Sequence, residues 1–352
     1  MTWPRSTSWC RRPRVADFAS ARRVAARFGW PRASVEAARQ GHINETYFVT
    51  SDTGPWVLQR VNRSVFADVD AVTANILAVC GHLHHELVPT PVATADGAWL
   101  VHDGDDVWRA FVRVPGAQPL TRPTSGTVEQ AATLLGTFHA RTADLDPDAV
   151  TETVPGFHDL GRRVEALRQV VEADPCGRVR TVTEEIDTVL DSAPLAGLAQ
   201  ELSHSAPRRV AHNDAKLDNV LFRHTTAVCL IDLDTVMPGA RFWDVGDLLR
   251  SAATTGAEDA PAPETVVVEP GLYHAVLRGY RRGVSAGPVH SVELDALEVA
   301  GAIVTYEQAV RFLTDWLAGD LYYRTDRPGQ NRDRARAQLR LFASMPRPSS
   351  RP

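Results

Sequence analysis

Residues 209–249 read RVAHNDAKLDNVLFRHTTAVCLIDLDTVMPGARFWDVGDLL, and this stretch decides how the chain is organised. It holds two acidic clusters, His212-Asn213-Asp214 and Ile231-Asp232-Leu233-Asp234. Between them lie Val220-Leu221-Phe222 and Ala227-Val228-Cys229-Leu230-Ile231, apolar runs that predict two short strands, with Arg223 to Thr226 as the turn. Asp232 then falls at the end of the second strand, eighteen residues after Asp214. Either cluster alone is ordinary, since HND can cap a helix and IDLD can end a strand in a polar turn. In this order, with a strand pair between them, they point to one site.

Residues 212–219 have the layout His-x-Asp-x-Lys-x-x-Asn of a kinase catalytic loop. Asp214 stands where the base that takes the acceptor hydroxyl's proton belongs, and Lys216 where a point charge reaches the transferring phosphoryl group. Asn219 and Asp232 supply a neutral and a charged oxygen for Mg²⁺, a hard cation that takes oxygen ligands and keeps several waters. Phosphoryl transfer asks for alignment and charge neutralisation more than covalent chemistry, which explains the residue types.

The chain has 352 residues, 44% hydrophobic and 23% charged, enough for two lobes around a substantial core. Its net charge of −5, without a long basic block, gives no sign of nucleic-acid binding. Arg11-Arg12-Pro13-Arg14 is not followed by an apolar segment, so no secretion signal is expected. No window has the length of uninterrupted apolar residues that a membrane span needs. Cys10, Cys80, Cys176 and Cys229 lack CxxC spacing, which suits reduced thiols in a cytoplasmic protein.

In chain order, residues 1–14 read as a loose tail, and Val15 to Phe28 has helical apolar spacing. Gly41-His42-Ile43-Asn44-Glu45-Thr46-Tyr47 reads as a turn entering a strand, and Gly41, Asn44 and Thr46 become candidate nucleotide contacts when read with the downstream motif. Trp56 to Val61 predicts a strand on which Arg60 is the nearest cation for the α- and β-phosphates. Asp68 to Leu83 predicts a helix; the neighbouring His82, His84, His85 and Glu86 read as solvated rather than metal-binding. Asp103 to Asp106 reads as a hairpin turn, lacking the spacing and terminal glutamate of a calcium loop. The lobe boundary is expected at residues 113–116, giving an N-lobe over 15–114 and a C-lobe over 115–352. Thr127 with Gln130 resembles a capping box opening a helix, and helices are expected at 157–171, 183–190, 272–280 and 292–317. Arg311 and Asp315, four apart on the last of these, suggest a surface ion pair.

Several motifs together resemble the aminoglycoside phosphotransferase and choline kinase superfamily, and within it the N-acetylhexosamine 1-kinases. They are HND-x-K-x-x-N, Gly41 to Tyr47, Leu58-Gln59-Arg60-Val61-Asn62, Asp232-Leu233-Asp234-Thr235-Val236-Met237-Pro238-Gly239, Arg311 to Asp320, and Arg332 to Arg336. The resemblance extends from about residue 36 to about 345. It implies an α+β, bilobal, protein-kinase-like fold with a small β-rich N-lobe and a larger, mainly helical C-lobe. ATP would lie between the lobes, with adenine near Phe111 to Val114. The γ-phosphoryl would pass to the anomeric hydroxyl of an N-acetylhexosamine, with Asp214 as base and Asn219 and Asp232 on Mg²⁺. Thr235, Arg311 and Tyr322 fall where sugar contacts are expected. The chain departs from the pattern at Ala215 and Asp218, at Ala74 where a glutamate is expected beside Asn75, and at Ala318.

Two rivals accompany this reading. One is a kinase of the same fold acting on an aminoglycoside or amino alcohol; the mixed charge of residues 311–323 favours a neutral sugar over a polycation. The other is a non-catalytic nucleotide-binding protein, against which stands the presence of Asp214, Lys216, Asn219 and Asp232 together. A monomer acting on a small-molecule sugar is expected.

Overall fold

Period-two alternation sorts the N-terminal strands into two faces, and this decides which side chains can reach the site. A computed structural model describes residues 17–38 and 43–346; Gly41 and the tail 1–14 lie outside the described residues. Helix α1 (Phe18–Arg27) is followed by β1 (Ser34–Ala37), β2 (Glu45–Ser51), β3 (Gly54–Arg60), α2 (Val69–His82), β4 (Pro91–Val92), β5 (Val101–Asp103) and β6 (Asp106–Val112). The six strands form one antiparallel sheet in the order β1-β2-β3-β6-β4, with β5 also pairing with β6. Tyr47, Val49, Leu58, Trp108 and Ala110 pack under α1, together with its Ala21, Val24 and Ala25. Val107 and Phe111 point the other way and join the core that runs into the helical lobe.

That lobe begins with α3 (Ser125–Arg141), then α4 (Leu160–Ala173), α5 (Thr183–Asp191) and α6 (Leu195–Ser205). Short strands β7 (Arg209–Ala211), β8 (Val220–Arg223), β9 (Thr226–Leu230) and β10 (Met237–Gly239) frame the two acidic clusters. β8 pairs with β9 and β10 with β7, both antiparallel. The chain continues through α7 (Phe242–Ala252), α8 (Pro270–Val284), α9 (Ser291–Asp295), α10 (Leu297–Ala318) and α11 (Gln330–Ser344). This is the protein-kinase-like fold, an antiparallel N-terminal sheet on a helical C-terminal lobe.

The start of α3 differs from the expectation. Its N-cap is Thr124, whose side chain accepts from the Thr127 amide while the Thr127 hydroxyl receives the Thr124 amide. The capping box is therefore one turn earlier than Thr127 and Gln130 suggested. α3 and α8 approach closely enough that side chains are excluded. A Cβ on Gly283 would stand 2.2 Å from the Thr133 carbonyl oxygen, one on Gly279 2.3 Å from Glu129 O, and one on Gly136 2.5 Å from Tyr280 O. Among the described helices, none is long and apolar enough to cross a membrane.

Candidate active site

The loop after β7 is shaped by Asn213, which takes φ 63°, a left-handed conformation that asparagine tolerates better than most residues. Its side-chain amide donates to the carbonyl oxygens of Ala211 and Thr235 at 3.3 and 3.0 Å, tying the first acidic cluster to the second. From below, the wholly buried Asp244 carboxylate receives the amides of His212 at 2.8 Å and Asn213 at 2.6 Å. Asp244 also meets His139 Nε2 at 2.8 Å, and His139 Nδ1 meets the Tyr280 hydroxyl at 2.9 Å. Burial alone would raise the Asp244 pKa, but the hydrogen bond and charge of His139, with His212, bring it below the usual carboxylate range. His212 accepts the Asp214 amide at Nδ1 (3.3 Å), leaving Nε2 to donate to the Ile231 carbonyl (3.0 Å).

This framework presents Asp214. Its Oδ2 accepts from Lys216 Nζ at 2.8 Å and from Asn219 Nδ2 at 2.9 Å, while Oδ1 accepts nothing from the described residues. Burial pushes its pKa up, but the Lys216 charge and hydrogen bond, with His212 and Asn219, outweigh this and hold the carboxyl below its ordinary value. Lys216 is held above the ordinary lysine value because the charges of Asp214, Asp232 and Asp247 outweigh its desolvation.

Asp232 sits on the next turn in the left-handed region, φ 67° and ψ 57°. Its carboxylate takes no hydrogen bond from the described residues, and its pKa is pushed up to about 7 by burial and by the charges of Asp234 and Asp214. Asn219 turns Nδ2 to Asp214 and leaves Oδ1 without a donor among the described residues. An unpaired carboxylate and an uncommitted amide oxygen beside Asp214 fit a hard cation such as Mg²⁺. Asp234, two residues on, is already occupied: Asn44 Nδ2 donates to one oxygen at 2.5 Å, and Arg109 forms an ion pair with the other. Arg109 comes from β6 and Asn44 from the bend that leads into β2, so Asp234 ties the two lobes together.

Two expected contacts lie elsewhere. Arg60 shares its strand face with Leu58, so it points under α1; there it pairs with Glu45 and Asp106 and sits 5.7 Å from the Trp108 ring centroid. Strand alternation explains this, since the inward position is Gln59, opposite Arg109 in register. Thr235 is buried, and its hydroxyl donates to the His212 carbonyl at 2.8 Å, so its donor braces the loop rather than facing an acceptor. Thr46 is on the inward face, accepting from Gln59 at 3.3 Å.

Arg311 does not pair with Asp315. It donates to Gln308 at 2.8 Å, with the rings of Phe157, Tyr323 and Tyr322 centred 5.5, 5.5 and 5.9 Å from its guanidinium carbon. Asp315 instead accepts the amides of Leu321, Tyr322 and Tyr323 at 2.8–2.9 Å, which folds the turn carrying Tyr322 back over α10. Beside Ala74, where the family pattern would have a glutamate, Asn75 on α2 donates to the carbonyls of Thr151 at 2.7 Å and Val236 at 2.9 Å. His82 bonds the Arg141 carbonyl and Asp144. Asp244, His139, Arg109 and Asn75 were not singled out in the sequence. For Asp244 a signal existed, an acid at the start of FWDVGDLL; the others had none.

Residues 34–288 match the sequence profile of APH, the phosphotransferase enzyme family. The chain belongs to that family. Solved structures of the same fold include an aminoglycoside phosphotransferase from Alicyclobacillus acidocaldarius, 18% identical with a TM-score of 0.64, covering 96% of this chain and 97% of that one. A choline kinase from Cryptosporidium parvum is 13% identical with a TM-score of 0.58, covering 92% and 94%. A microcompartment-associated aminopropanol kinase is 16% identical with a TM-score of 0.58, covering 92% and 95%. This family member is therefore a phosphotransferase.

Proposed function

We propose that this phosphotransferase is an ATP- and Mg²⁺-dependent kinase that phosphorylates the anomeric hydroxyl of an N-acetylhexosamine such as N-acetylglucosamine or N-acetylgalactosamine. The observation that carries the kinase reading is the divided state of Asp214, with Oδ2 held by Lys216 and Asn219 and Oδ1 uncommitted. The acceptor hydroxyl approaches Oδ1, which takes its proton as the oxygen becomes nucleophilic. Asp232 and Asn219 would hold Mg²⁺, which when bound neutralises phosphate charge. Lys216 keeps its proton and fixes the base's orientation. Lys216 and Arg109 are the cations of a site that also contains Asp214, Asp232 and Asp234.

The sugar assignment rests on the subgroup motifs and on the wall formed by Arg311, Phe157, Tyr322 and Tyr323. Aromatic faces beside a fixed cation suit a neutral, hydroxyl-rich ring. Arg311 stands close enough to Asp214 for the two charges to act on each other, which disfavours a polycationic aminoglycoside or a choline-like amine. The free, buried thiols of Cys80 and Cys229, together with the use of ATP, support a cytoplasmic location.

The test is phosphorylation of N-acetylglucosamine, N-acetylgalactosamine and their 1-O-methyl glycosides with ATP and Mg²⁺, followed by ADP release and NMR of the product. The free sugars are expected to react and the methyl glycosides not to; product from the glycosides would exclude a 1-kinase. Glucose should react more weakly, because loss of the acetamido group leaves its partners unpaired at a cost of about 1–3 kcal/mol.

A further inference from the structure

The inward face of the N-terminal sheet carries a buried cation where sequence pattern alone had placed none. Arg109, on β6, is 4% exposed. Its Nε and Nη2 donate to Gln59 Oε1 at 3.0 and 2.9 Å, Nη2 also pairs with Asp234, and its guanidinium carbon lies 5.3 Å from the Phe111 ring centroid. Nη1 is buried and has no partner among the described residues. A guanidinium presents five N–H donors, and leaving a buried one unmet is costly. On β3 the inward position opposite Arg109 is the neutral Gln59, while Arg60 is sealed on the outer face by two carboxylates. Arg109 also acts on Asp232, the unpaired acid beside the base.

We propose that Arg109, on β6, is the phosphate-binding cation of this enzyme, in the role first expected of Arg60, and that Asp234 serves to aim it. The inference rests on the kinase reading above. Two contacts to Gln59 and one to Asp234 fix the plane of the guanidinium, which leaves Nη1 to meet an anionic phosphate oxygen of the nucleotide. Asp234 is thereby assigned to Arg109 and Asn44 rather than to the metal, which explains how an ID-x-D motif uses its two acids differently.

Calorimetric titration with ADP and with adenosine, which need no turnover, tests this directly. The wild-type protein should prefer ADP, the ligand that carries phosphate. Arg109→Gln should weaken ADP by roughly 10-fold or more while leaving adenosine nearly unchanged, the loss expected for one charge-assisted hydrogen bond. Arg60→Gln should lower the melting temperature and leave the ADP-to-adenosine ratio intact. Should Arg109→Gln fail to fold, the double variant Arg109→Gln/Asp234→Asn removes both buried charges together and carries the same expectation. Adding Gln59→Lys to either background moves a cation to the directly opposite position and should restore preference for ADP. An unchanged ratio in a folded Arg109 variant, or equal loss of ADP and adenosine, overturns the proposal. A wild-type protein that binds neither ligand would overturn the kinase reading itself.

Discussion

Asp214 and Asp232 are two partly buried acids of one site, and their surroundings treat them in opposite ways. Asp214 is held by an ammonium, an amide and a backbone scaffold, and its pKa falls below the ordinary carboxylate value although burial would raise it. Asp232 receives no hydrogen bond from the described residues, faces two other acids, and its pKa is pushed up to about 7 by burial and those charges. The protein's own groups satisfy the first carboxylate and leave the second without a donor among the described residues. On the proposed reading, the contrast separates a base that keeps one orientation from a metal ligand that exchanges its partner.

The strongest way to break the contrast is Asp214→Asn. It retains the shape but removes the proton acceptor, so turnover should drop by ~10²-fold or more, with ADP affinity little changed. Steady-state rates and ADP titration check both halves, and near-wild-type turnover would show that the base lies elsewhere. Asp232→Ala should lower turnover together with Mg²⁺-dependent nucleotide affinity, and Asn219→Ala should do the same to a smaller extent. A Mg²⁺ titration of nucleotide binding reads the difference.

Asp234→Ala sharpens the comparison because it removes an acid only two residues away. It strands Arg109 in a buried position, so the principal loss should be stability, of about 3–5 kcal/mol in urea unfolding. An Asp234→Ala protein as stable as wild type but deficient in Mg²⁺ binding would return that acid to the metal site. Thr235→Val should cost about 1–3 kcal/mol, since the His212 carbonyl loses its donor, while Thr235→Ser should recover it. Acceptor KM then separates a brace from a sugar contact: a specific rise with Ser in place would favour the contact.

The smallest effect concerns the helical wall. Burial would raise the Glu307 pKa, but His158, Arg163 and Arg311 bring it down to about 2. The folded carboxylate thus remains ionised after the unfolded chain has taken up its proton. Its stabilising contribution is complete above the ordinary value of 4.5 and is lost as pH falls toward about 2. Glu307→Gln should flatten that acid limb in melting temperatures measured across the same range.

The sequence made the two acidic clusters and the strand pair between them legible because local periodicity and motif order encode them. β8, β9 and the turn at Asp232 stand where the apolar runs predicted. What sequence could not reveal was which face of a strand looks inward. One residue of phase separates Arg60, sealed under α1, from Gln59, which faces Arg109, and only the packing of α1 fixes that phase. Helices α6, α7 and α11 were not anticipated; α11 is rich in arginine and its buried face includes Asn331, Asp333 and Arg334, so hydrophobic spacing is a poor guide there. Asp315 looked like an ion-pair partner because helical spacing suggested one, whereas its carboxylate is consumed by backbone amides that come from a later turn.

The contact between α3 and α8 has a consequence at the opposite end of a chain of bonds. With carbonyl oxygens standing where Cβ atoms of Gly136, Gly279 and Gly283 would go, α8 has a single seat on α3, and a slide along it would bring larger side chains into the seam. Tyr280 is thereby indexed against His139, His139 against Asp244, and Asp244 against the amides of His212 and Asn213 that lead into Asp214. The rear seam works as a datum edge: the wall around Arg311 can change residue by residue, while the position of Asp214 is gauged from behind.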